Sequence, residues 1–93
     1  MNLLILEPTA KDYEKKLRSK FPQVAIHAAT KEDEIGDFIE KADILLAFRI
    51  SDDLMKRAKI LKWIQSLATG VDYMLNLPSL RKEVLLTSTR GIH

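Results

Sequence analysis

The residues best suited by type to do chemistry are Arg49 and the run Ala68-Thr69-Gly70. Arg49 follows one apolar stretch, Ala42-Asp43-Ile44-Leu45-Leu46-Ala47-Phe48. The small-residue run follows another, Leu61-Lys62-Trp63-Ile64-Gln65-Ser66-Leu67. A guanidinium binds a carboxylate through two parallel hydrogen bonds. Small side chains let backbone N–H groups come close to an anion, and glycine admits a positive φ. An arginine and such a loop meeting at one edge of a sheet would make a carboxylate site. Each also has a plainer reading. Arg49 would serve as well in a surface ion pair with Asp52 or Asp53, and Ala68-Thr69-Gly70 as an ordinary strand-to-helix turn. His27 has no second ligand-like residue near it in sequence and reads as structural or solvated. The chain has no cysteine, so thiolate ligands and disulfides are excluded, and no metal site is expected.

The elements that must carry these residues follow from the apolar pattern. Asn2-Leu3-Leu4-Ile5-Leu6 is continuous rather than alternating, as a parallel strand covered on both faces would be, and Glu7-Pro8 ends it. Thr9 looks like a helix cap, with Tyr13, Leu17 and Phe21 as one apolar stripe and Pro22 as the stop. Val24-Ala25-Ile26-His27-Ala28-Ala29 is a more polar second strand. Thr30-Lys31-Glu32-Asp33 repeats the capping pattern ahead of Ile35, Phe38 and Ile39, which share a helical face. Residues 42–48 form the third strand. Ser51 then caps a short helix with Asp52 and Asp53 in its first turn and Leu54, Met55 and Ala58 turned inward. The stretch 61–67 is the fourth strand, read as buried, and Val84-Leu85-Leu86-Thr87-Ser88 the fifth. Alternation at this spacing predicts right-handed crossovers and a parallel α/β sheet. The expected fold is a flavodoxin-like five-stranded parallel sheet of order 2-1-3-4-5, with helices on both faces. In that order the switch point lies between strands 1 and 3. The loops at 7–9, 48–51 and 68–71 converge on its carboxyl edge.

Composition sets outer bounds. The chain has 93 residues, enough for one small domain. It is 46% hydrophobic and 30% charged, which fits a packed core and not wholesale disorder. Its net charge of +2 comes from scattered basic residues, so neither a nucleic-acid footprint nor a membrane-binding face is expected. With no signal-like N-terminus and no cysteine, a cytoplasmic setting is expected. The usual nucleotide loops are missing: no G-x-G-x-x-G follows the first strand, and there is no G-x-x-x-x-G-K. A phosphate-receiver domain would need an aspartate where Phe48-Arg49 stand and a lysine after the fifth strand.

Leu61-Lys62-Trp63-Ile64-Gln65, Thr69-Gly70-Val71-Asp72, Val84-Leu85-Leu86-Thr87 and Arg90-Gly91-Ile92-His93 closely resemble the N-terminal part of the substrate (catalytic) domain of the D-isomer-specific 2-hydroxyacid dehydrogenases. The resemblance covers essentially the whole chain and is strongest from 42 onward. It implies that residues 1–93 are a single domain, an N-terminal substrate-domain fragment of a two-domain enzyme whose nucleotide-binding domain lies elsewhere. It implies hydride transfer between NAD or NADP and a small 2-oxo or 2-hydroxy acid in the full-length protein. It assigns substrate-carboxylate binding to Thr69 and Gly70 with Ala68 adjoining, and a cleft-facing role to Arg49. Asp72 is expected to cap local backbone. The family's catalytic arginine, glutamate and histidine match nothing in these residues, and His93 stands at the start of the inter-domain connection. The 93 residues alone are therefore expected to bind no cofactor and to be inactive, and to expose apolar surface that favours a homodimer. The alternative expectation is a non-enzymatic flavodoxin-like module that binds a small carboxylate or a protein partner. A blander one is a fragment that folds and binds nothing.

Overall fold

The computed structural model describes residues 1–67, 72–88 and 91–92. Five parallel strands form the sheet: β1 (Asn2–Leu6), β2 (Ala25–Ala29), β3 (Ile44–Ala47), β4 (Trp63–Ser66) and β5 (Leu85–Ser88), in the order 2-1-3-4-5 expected from the sequence. A two-residue strand, β6 (Gly91–Ile92), adds to β5 in antiparallel sense. The helices are α1 (Ala10–Lys20), α2 (Asp52–Arg57) and α3 (Asp72–Leu75), with 3₁₀ turns at Glu32–Glu34 and Gly36–Lys41.

Register divides every strand into two faces. Leu4, Leu45, Ile64 and Leu86 are neighbours across β1, β3, β4 and β5. They form the larger core with Ile35, Ile39, Leu54, Met55 and Met74 from the 3₁₀ turns, α2 and α3. Leu3, Ile44, Trp63 and Leu85 are neighbours on the opposite face. There α1 supplies Ala10 and Leu17 to a smaller core with Ile5 and Ile26. Both faces thus carry helices, as a parallel sheet requires, but unequally.

Local chemistry explains the helix ends. The Ser51 side chain accepts from Leu54 N–H at 3.3 Å, with Asp52 and Asp53 in the first turn of α2, as its sequence predicts. Thr9 departs from expectation: its hydroxyl donates to the Glu7 carboxylate instead of closing a capping box on α1. The segment after Thr30 departs further. Ile35 and Ile39 are buried and Phe38 half-buried on one side, as read, but Gly36 sits at φ +59° and breaks the expected helix into two 3₁₀ turns. Glu34 reaches back to Thr30, accepting from both its N–H and its hydroxyl at 2.7 Å. Arg81 fastens the approach to β4, donating to the carbonyls of Ala58 (3.1 Å), Lys59 and Leu61.

Trp63 corrects the reading of β4 as wholly buried. Ile64 and Ser66 are buried, whereas the Trp63 side of the strand is open and Trp63 itself is 38% exposed. No described element covers that half of the sheet.

Candidate functional site

The carboxyl ends of β1, β2 and β3 meet at a depression of about 310 Å³. It is lined by Leu6, Glu7, Pro8, Thr30, Lys31, Glu32, Phe48 and Arg49. This is the switch point, where the chain leaves β1 in one direction and β3 in the other, and ligands of open α/β sheets bind there. Hydrogen bonds between neighbours fix its walls. Glu7 N–H donates to Ala29 C=O at 3.1 Å, holding the exit of β1 against that of β2. Ser51 N–H donates to the Glu32 carboxylate at 2.8 Å, tying the segment after β3 to the segment after β2.

Arg49 stands where the sequence places it, two residues past the end of β3, exposed and lining this depression. Of the two acids offered as its surface ion-pair partners, Asp52 and Asp53, the first also has partners of its own. Asp52 accepts from Ser79 N–H at 2.8 Å and from the Ser79 hydroxyl at 2.9 Å, and lies 3.9 Å from Lys56 Nζ. Ala68, Thr69 and Gly70 lie outside the described residues. The residue before them, Leu67, donates its N–H to Ala47 C=O at 2.9 Å, so the chain enters that loop beside the strand that delivers Phe48 and Arg49.

Glu7 is the site residue that strand reading passed over. It is 6% exposed, accepts the Thr9 hydroxyl, and shares the depression with Arg49, Lys31 and Glu32. The only signal was an acid set directly between an apolar strand and a proline. Two acids and two bases therefore line one cleft, an arrangement suited to binding and orienting a small polar anion. No described histidine lines it: His27 stacks on Phe38 at 5.0 Å between ring centroids and lies 3.0 Å from the Glu34 carbonyl oxygen. Among the described residues no cluster of three metal-ligating side chains occurs, and no helix is long and apolar enough to cross a membrane.

Fold and site together define a doubly wound parallel α/β domain with a polar cleft at its switch point. No protein-family model matches the chain, and no curated protein matches it at a significant level. Solved structures do. A D-isomer specific 2-hydroxyacid dehydrogenase family protein from Aeromonas salmonicida subsp. salmonicida superposes over 97% of this chain, with a TM-score of 0.76 and 29% identity. An NADPH-dependent glyoxylate/hydroxypyruvate reductase from Sinorhizobium meliloti, solved with NADP and sulfate, superposes over 94%, with a TM-score of 0.69 and 25% identity. This chain spans only 29% and 28% of those two proteins. The chain therefore shares the fold of the D-isomer-specific 2-hydroxyacid dehydrogenase family, whose motifs its sequence resembles.

Proposed function

We propose that these 93 residues are the N-terminal substrate-domain portion of an NAD(P)-dependent D-2-hydroxyacid dehydrogenase. The observation that carries the reading is Arg49 at a switch-point cleft, in a fold shared over 97% of the chain with a protein of that family. In this reading Arg49 and the backbone N–H groups of Thr69 and Gly70, with Ala68 adjoining, hold the carboxylate of a small 2-oxo acid. Glu7 sets the polarity of the inner wall. The nucleotide-binding domain closes the cleft and supplies NAD or NADP, which carries the hydride. The groups that move protons belong to that part of the enzyme, so the 93 residues bind and orient substrate without reducing it. The setting is cytoplasmic.

Titration of the 93-residue chain with glyoxylate, followed by backbone amide NMR, tests the binding half. Shifts at Arg49 and at 68–70 with millimolar affinity are expected, and none from chloride at matched ionic strength. A hydrogen bond to a charged group contributes about 1.5–3 kcal/mol, so Arg49→Met is expected to weaken binding at least tenfold. Unperturbed amides at these positions, or an unchanged affinity in Arg49→Met, would refute the site. The coding sequence beyond residue 93 tests the enzymatic half. A G-x-G-x-x-G following a strand is expected, whereas a stop codon favours the stand-alone carboxylate-binding module.

A further inference from the structure

We propose that the switch-point cleft admits monocarboxylic 2-oxo and 2-hydroxy acids and rejects dicarboxylic ones, with Glu7 as the residue that discriminates. This rests on the reading of the cleft as a substrate-carboxylate site and adds which acids it accepts. Strand order places the charges. β1 lies between β2 and β3. Glu7, the first residue past β1, therefore stands along the sheet edge between Lys31, two residues past β2, and Arg49, two past β3. Neighbouring strands lie about 4.8 Å apart. A four-carbon acid held by its carboxylate at Arg49, with its chain directed along the edge towards β2, carries its far end to Glu7.

Glu7 is built to meet that chain end with charge. Its N–H donates to Ala29 C=O at 3.1 Å and its C=O accepts from Ala10 N–H at 3.0 Å, so its backbone is committed. What it brings to the cleft is its carboxylate, steadied by the Thr9 hydroxyl, a neutral donor that leaves the charge uncancelled. Glu7 is 6% exposed, and a charge withdrawn from water is screened less than one at the surface. A second acid, Glu32, lines the same cleft, its carboxylate held by the Ser51 N–H at 2.8 Å, again a neutral donor. Lys31 is exposed, where water and salt weaken its pull on a second ligand charge.

An uncharged chain end escapes this repulsion, and Leu6, Pro8 and Phe48 offer it an apolar wall. Attraction for one carboxylate beside a repulsion for the next is how a site separates ligands that share a head group.

D-2-hydroxybutyrate and D-malate test this, because they share a four-carbon chain and differ at its end, methyl against carboxylate. Their dissociation constants for the 93-residue chain are read from backbone amide NMR at neutral pH and matched ionic strength, with folding of each variant checked by circular dichroism. D-malate is expected to bind about tenfold more weakly than D-2-hydroxybutyrate, since like charges brought together are costly. Glu7→Gln is expected to recover most of that factor for D-malate and to leave D-2-hydroxybutyrate nearly unchanged, a selective gain that a merely structural role cannot produce. If Glu7→Gln fails to fold, Glu7→Met, neutral and of similar length, is read in the same way. Glu83→Gln removes an equal charge just ahead of β5, at the opposite edge of the sheet, and is expected to leave both constants unchanged. Equal affinities in the wild-type chain, or a ratio that survives the Glu7 substitution, overturn the role of Glu7 and leave the carboxylate site standing. A ratio that Glu83→Gln moves as far as Glu7→Gln overturns it too, because bulk charge then suffices. Binding of neither acid overturns the site and its selectivity together.

Discussion

Arg49 and Glu7 show what a single position can and cannot disclose. Arg49 was legible because its place depends on strand reading: an arginine just past an apolar run stands at a sheet edge, whatever its rotamer. Glu7 was not, because burial of an acid depends on what closes over it, and Pro8, Thr30 and Phe48 come from three separate loops. Ala68, Thr69 and Gly70 remain a reading from motif and from the position of Leu67. Glu34 allows a finer test. The Thr30 hydroxyl, then the Thr30 backbone N–H, hold its carboxyl below the usual carboxylate range. The folded-state pKa is the lower one. Any stabilisation is therefore present above the unfolded value of about 4.3 and is lost as pH falls through the folded value. In Thr30→Ala the Glu34 midpoint is expected to rise, as read by NMR titration of its carboxyl carbon. A midpoint that does not move would show that the hydroxyl is not the cause.

At the scale of elements, apolar runs between breaker residues announced all five parallel strands, most plainly the continuous one at 2–6, as a strand covered on both faces has no reason to alternate. The segment 30–41 was read correctly for its buried side and wrongly for its helix. Ile35, Phe38 and Ile39 suit either a 3.6-residue or a 3-residue turn over so short a span, and one glycine decided between them. A side chain added at Gly36 would meet nothing within 4 Å, so only the backbone conformation, at φ +59°, demands glycine. Gly36→Ala is accordingly expected to cost about 1–2 kcal/mol, lowering Tm by roughly 4–8 °C per kcal/mol for a domain of this size. Calorimetry checks this, and an unchanged Tm would mean that the turn relaxes into a continuous helix.

Across the whole molecule, the two faces of the sheet have different standing. One carries the larger core, with Ile64 at 0% exposure in its central strands. Ile64→Ala is expected to cost about 2–5 kcal/mol through the cavity it leaves. That is a large fraction of the ~5–15 kcal/mol that holds a domain together, and urea denaturation measures it. Among the described residues, the other face is closed by a helix only over β1 and β2. The sequence hid this asymmetry because apolarity tells a strand to be covered without telling what covers it. A chain spanning 29% of a structurally similar protein has its sheet order set by its own crossovers, whereas the covering of a face is not confined to neighbours in sequence.

Trp63 gives that open face an optical voice. It is the one tryptophan in the chain. Its ring lies partly in water while its N–H is held by Thr87 on the next strand. Emission from the folded protein therefore comes from a single, half-hydrated indole of fixed orientation. Whatever settles on the sheet should shift that emission to the blue, and separation of β4 from β5 should shift it to the red. One fluorophore, already present, thus reports both the occupancy of the face and the integrity of the strands beneath it.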